Sequence, residues 1–164
     1  MAIDPSLRST GYYLNWCDVS GVIDCSKTSH TGALLRIGQQ IENHLASCEL
    51  VLCEDYTFSR HSRSTSTMGE VKGILTYLAR SHGAPIVGVN VQTWRSIFPG
   101  IRDIDKKTNS DAYIELASNI CDGKRFTSTD DADACMIYHA VVRLIEKSPM
   151  HKLVALIQEM VGGE

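Results

Sequence analysis

Five acids in this chain stand where they can do chemistry. Three of them crowd the stretch TSTDDADACMIYHAV, at Asp130, Asp131 and Asp133, at the mouth of an apolar run. The other two close short apolar segments: Asp4 ends MAID, and Glu54 follows LVLC. Asp130 and Asp133 are three positions apart and share a helix face, whereas Asp131 points about 100° away. Asp131 stands instead where a capping-box partner of Ser128 belongs, with Ser128 or Thr129 as N-cap, and first-turn acids suit the helix dipole. That leaves Asp130 and Asp133 for a site shared with Asp4 and Glu54. Carboxylates that converge without bases between them repel unless cations neutralise them. Oxygen-only ligation selects hard ions, Mg²⁺ or Mn²⁺. Two such ions about 4 Å apart form a clamp for in-line phosphodiester displacement: one lowers the pKa of the attacking water, the other steadies the leaving oxygen. Spacing alone also admits four unrelated surface acids.

Whether the acids meet depends on the elements that carry them. MAID predicts a short first strand, and TGYYLNW and VSGVIDCS predict an antiparallel meander. GALLRIGQQIENHLAS has helical periodicity, ELVLCED is a continuous strand, and YTFSRHSRSTST is polar, basic and irregular. MGEVKGILTYLARSHG predicts a helix with the stripe Val71, Ile74, Leu75 and Leu78, ending at Gly83. APIVGVN is a fifth strand, and VQTWRSIFPG a short helix stopped at Pro99-Gly100. IRDIDKKTNSD is a polar connection to the helix AYIELASNIC; DADACMIYHAVVRLIEK follows, and an amphipathic helix lies behind Pro149. A meander followed by alternating strands and helices predicts an α/β fold, a five-stranded mixed sheet flanked by helices. Strand ends that neighbour in such a sheet bring Asp4 and Glu54 within reach of each other. A helix crossing that edge adds Asp130 and Asp133.

Bulk properties narrow the classes. With 164 residues, no internal repeat and no long linker, the sequence predicts one domain with a substantial core. The six cysteines show no C-x-x-C pair and no metal-ligand spacing, and most lie in apolar segments, so they read as reduced core residues of an intracellular, cytoplasmic protein. The opening MAIDP lacks the pattern of a signal peptide, and no apolar run reaches the length of a membrane span. A net charge of −3 counts mildly against nucleic acid as a partner, although carboxylates gathered at a metal site would hide local basic surface.

The motifs resemble a known family, the RuvC Holliday-junction resolvases of the RNase H-like superfamily. AIDPSLRSTGY resembles the family's I-D-P-G-x-R-x-T-G-[YFW], LVLCED the strand ending in its second acid, MGEVKG its L-G-x-x-[RK]-G, and DDADACMIYHA its D-x-x-D-A-[LC]-x-[IL]-A. The likeness runs over nearly the whole chain in order and spacing. It implies an RNase H-like fold, Asp4, Glu54, Asp130 and Asp133 as ligands of two Mg²⁺ or Mn²⁺ ions, and catalytic cations at Arg95 and at Lys106 or Lys107. It also implies cleavage of four-way junctions in recombination and repair, and a homodimer paired through the helix of Val71, Ile74, Leu75 and Leu78. Such relatives occur in phages, which would place the protein in a host cytoplasm; a helicase partner is not indicated. Two positions depart from the pattern. Ser6 replaces a glycine, so its turn must avoid positive φ. Thr57 stands where the family has a junction-wedging aromatic, flanked here by Tyr56 and Phe58.

Arg8, Arg60, Arg63 and Lys72, with His61, Lys124 and Arg125 nearby in role, are candidates for contacts to DNA phosphates, as Tyr56 and Phe58 are for base stacking. A four-way junction has approximate two-fold symmetry, which suits a C₂ dimer with two sites. Two other readings compete. A broader branched-DNA endonuclease would keep the same site. DPSLRSTG also resembles the phosphate loop of actin-like ATPases, but those need two such domains and do not require Asp130 and Asp133.

Overall fold

The computed structural model describes residues 1–55 and 62–147, with the side chains of 62–64 left aside. Five strands form one sheet: β1 (Ala2–Asp4), β2 (Ser9–Leu14), β3 (Val19–Asp24), β4 (Val51–Asp55) and β5 (Ile86–Asn90), in the order β3-β2-β1-β4-β5. The meander β1–β2–β3 is antiparallel, while β4 runs parallel to both β1 and β5. The helices are α1 (His30–Leu45), α2 (Ser62–Ser81), α3 (Val91–Ser96), α4 (Ser110–Ile120) and α5 (Thr129–Lys147).

Strand alternation sorts the core into two layers. Ile3, Val51 and Cys53 join Ile37, Ile41 and Leu75 under α1 and α2. Ala2 and Leu52 turn to the opposite face, where Trp94, Tyr113, Cys135 and Met136 pack beneath α3, α4 and α5. Local chemistry sets the helix ends. Ser29 Oγ accepts from Gly32 N (3.2 Å) at the start of α1, and Asn90 Oδ1 from Gln92 N (2.8 Å) at the start of α3. Gly83 (φ 74°) and Gly100 (φ 87°) follow α2 and α3, in the left-handed conformation that glycine adopts freely.

The mixed five-stranded sheet flanked by helices is the architecture expected. One boundary differs: α2 starts at Ser62, inside the segment expected to be irregular. Its first turns carry no apolar residues, and periodicity registers only where a helix meets the core, from Val71 onward. Of the α2 stripe expected at a dimer surface, two residues face inward. Val71 and Leu75 are buried in the chain's own core. Ile74 and Leu78 lie over Gly38 of α1, where an added Cβ would be 3.3 and 3.6 Å from them. Ile74 and Leu78 keep part of their surface exposed. Among the described residues no helix is long and apolar enough to cross a membrane. Tyr56, Phe58, Arg60 and His61, and the helix expected behind Pro149, lie outside the described residues, and Arg63 belongs to the stretch whose side chains are left aside.

Candidate active site

Sheet register brings the first two acids together. Ala2 pairs with Leu52 and Ile3 with Cys53, so the next step along the parallel pair sets Asp4 beside Glu54. Register with β2 places Asp4 opposite Gly11. At Gly11 the sheet meets α5: a Cβ there would lie 1.9 Å from the carbonyl oxygen of Asp130. Only a residue without a side chain lets the helix start so close to the strand, and that contact delivers Asp130 and Asp133 to Asp4. Ser128 and Asp131 start the helix in the expected way. Ser128 Oγ accepts from the backbone N–H of Asp130 (3.0 Å), and Asp131 accepts from the N–H groups of Ser128 (2.9 Å) and Thr127 (3.0 Å). The Ser6 turn avoids positive φ, as glycine's absence requires, and is tied by Thr10 Oγ1 donating to the Ser6 carbonyl (2.6 Å).

Asp4, Ser6, Glu54, Arg95, Lys106 and Asp130 line a cleft of about 380 Å³, with Asp133 buried beside it. Asp133 is held on both oxygens. The Tyr113 hydroxyl donates to Oδ1, and Lys106 Nζ donates to Oδ2 at 2.6 Å. Arg95 stands 3.5 Å from the same Oδ2. Trp94 Nε1 donates to Glu54 Oε2 (2.8 Å), and Ser9 Oγ donates to Asp130. Lys106 thus separates itself from Lys107, whose side chain is exposed.

The electrostatics follow from burial and crowding. Asp4 is held well above the ordinary carboxylate range, first by burial, then by repulsion from Asp133 and Glu54; Lys106 opposes this. Glu54 is also raised, mainly by burial, against the Trp94 hydrogen bond. Burial alone would lower Lys106, but Asp133 and Asp4 outweigh it and push its ammonium up. Burial and the neighbouring Asp133 also raise the Tyr113 hydroxyl. Arg95 Nε is buried with no hydrogen-bond partner among the described residues, while its guanidinium lies 5.0 Å over the Trp94 ring. Among the described residues two cations therefore face four acids, and two of those acids still resist ionising. An oxygen-only donor set with uncompensated negative charge fits a hard divalent cation.

The peripheral cations are less concentrated. Arg8 is exposed and donates to the Thr28 carbonyl (2.9 Å). Lys72 pairs with Asp55, and Lys124 with Asp18 (2.8 Å). The sequence reading missed Trp94, Tyr113 and Ser9. Trp94 and Tyr113 read as core aromatics, and nothing in their spacing shows that their polar tips end on Glu54 and Asp133.

Structural comparison places this arrangement among known folds. A Thermus thermophilus RuvC in complex with a Holliday junction substrate superposes with a TM-score of 0.67 and 16% identity, over 87% of this chain and 93% of that one. A second Thermus thermophilus RuvC structure gives 0.65 and 17%, over 87% and 94%. The chain has the fold of RuvC. The likeness takes in the flanking helices of RuvC as well as its sheet, because the matched part covers nearly all of both RuvC chains. No family model matches the sequence, and no characterised protein matches it at a significant level.

Proposed function

We propose that the protein is a structure-selective DNA endonuclease that resolves four-way junctions by paired, symmetric nicks, leaving 5′-phosphate and 3′-hydroxyl ends. The observation that supports this reading is the meeting of Asp4, Glu54, Asp130 and Asp133 at one cleft of a RuvC fold, with Lys106 and Arg95 among them. In this reading the four acids hold a pair of Mg²⁺ or Mn²⁺ ions. Such a pair, when bound, activates water and neutralises charge at the leaving oxygen. Lys106 and Arg95 offset charge developing on the phosphorane, and both stand on Asp133 before DNA arrives. Tyr113 and Trp94 fix the carboxylates they touch and so act as positioning residues. Branched DNA as substrate agrees with the junction carried by one RuvC structure. Two symmetric cuts require two sites, so the reading includes a homodimer, with its contact away from the buried Val71 and Leu75.

The test is a comparison of labelled duplex, three-way and four-way substrates with Mg²⁺. Paired nicks in opposing strands of the four-way junction, and little cutting of the others, are expected. Equal cutting of all branched substrates would replace the strict resolvase with a general branched-DNA nuclease. ATP hydrolysis without nicking would favour the ATPase reading.

A further inference from the structure

We propose that Cys121, Cys135 and His139 form a zinc site that joins the end of α4 to α5. One ligand atom from each lies within 4.8 Å of the other two. Cys135 and His139 are one turn apart and share a face of α5, while Cys121 is the C-cap of α4. In a tetrahedral zinc site, with Zn–S about 2.3 Å and Zn–N about 2.0 Å, ligand atoms stand roughly 3.5–3.8 Å apart. A closure of about 1 Å therefore turns the present cluster into three vertices of that tetrahedron. Two thiolates and an imidazole favour zinc over the hard cations suited to the carboxylate cleft.

The surroundings fit a bound cation. Both cysteines are buried, whereas His139 is half-buried. His139 is the more exposed of the three ligands, which leaves the fourth vertex to water. Burial holds the His139 imidazole below its usual range; Asp122 and Asp18 oppose this, and Arg143 and Lys124 add to it. Lys124 is itself engaged by Asp18. The turn after α4 is fixed by Gly123 N–H donating to the Ser118 carbonyl (2.8 Å), which holds Cys121 in place.

This site is separate from the carboxylate cleft. Cys135 lies two residues beyond Asp133, about 200° around α5, on nearly the opposite side of the helix. Its role is structural, fastening to α4 the helix that carries Asp130 and Asp133. Linear spacing hid the cluster, because Cys121 and Cys135 are separated by the whole α4–α5 turn.

The experiment uses the full chain, purified under reductant with excess Mg²⁺ to occupy the carboxylates. One zinc per chain should survive gel filtration. Cobalt in its place should show a thiolate charge-transfer band and the visible absorption of tetrahedral Co²⁺, neither of which an oxygen-only site yields. Asp4→Asn should keep both signals, so a failed nuclease reading would leave this result untouched. His139→Ala should weaken zinc by more than the roughly 10–100-fold that loss of an outer-shell partner costs. His139→Cys should recover it, which separates ligation from a packing role even if the alanine variant folds poorly. Reduced protein that retains no zinc and gives no thiolate band with cobalt overturns the proposal. So does an intact mass showing a Cys121–Cys135 disulfide together with no metal uptake after reduction.

Discussion

Asp133 takes a tyrosine hydroxyl on one oxygen and a lysine ammonium and an arginine on the other, so its carboxylate is fixed before any substrate arrives. Fixing a group in advance removes reorganisation cost from the reaction step. Asp133→Asn should therefore bind a four-way junction with near-native affinity yet lose cutting by about 10³-fold or more. Gel shift and cleavage on one substrate check this, and normal cutting by the variant would remove Asp133 from the site. The structure also separates two lysines that the sequence left level. Lys106→Ala should lower the cleavage rate by about 100-fold, while Lys107→Ala should stay near native, in single-turnover assays. Tyr113→Phe removes only the donor to Asp133, and a 10–100-fold loss of activity, roughly, is expected, with a shifted Mg²⁺ dependence.

At the scale of elements, the contact between β2 and α5 decides whether a site exists. Gly11 pairs with Asp4 in the sheet and touches the Asp130 backbone, so a single position sets the distance between strand acids and helix acids. Gly11→Ala must push α5 away or bend β2. Overpacking of this kind costs about 1–3 kcal/mol. Urea unfolding should show that loss, and nicking should fall further than stability alone explains. A variant as stable and active as the parent would show that the helix does not need this contact. Legibility differed between these elements. Ser128 and Asp131 announced the α5 cap, because capping is local chemistry written in adjacent residues. The polar start of α2 was illegible, since it holds no apolar residue before Met68 to leave a periodic trace.

For the whole molecule, the crowded acids predict how stability follows pH in the absence of metal. Asp4 and Glu54 have folded pKa values above their ordinary 3.8 and 4.5. Between the ordinary and raised values the folded chain holds protons that the unfolded chain has released, so stability falls as pH rises through that window. Asp18 and Asp24, held low by hydrogen bonds, act oppositely below their ordinary 3.8. His139, held low by burial, acts oppositely below its ordinary 6.5, one group against the two raised acids. In chelator the melting temperature should be higher at pH 5 than at pH 8, and Mg²⁺ should restore it mainly at pH 8. Asp4→Asn should raise the melting temperature of the metal-free protein at pH 8 by about 2–4 °C, the effect of roughly 1 kcal/mol in a chain of this size. Scanning calorimetry across pH with and without Mg²⁺ checks both, and a flat profile would mean that the acids do not crowd as described.

Sequence by itself determined the alternation of strands and helices, the capping of α5 and the candidacy of Asp4, Glu54, Asp130 and Asp133. Each of these is expressed in periodicity, in neighbouring residues or in a run of ordered motifs. Tertiary structure decided the rest. Sheet register set Asp4 beside Glu54, and Gly11 admitted α5. Packing then set Lys106 on Asp133 and left Lys107 exposed, buried Val71 and Leu75 in the chain's own core, and drew Cys121 to Cys135 and His139. These are distances between residues remote in the chain. They are settled by which faces bury together, and no local spacing records that.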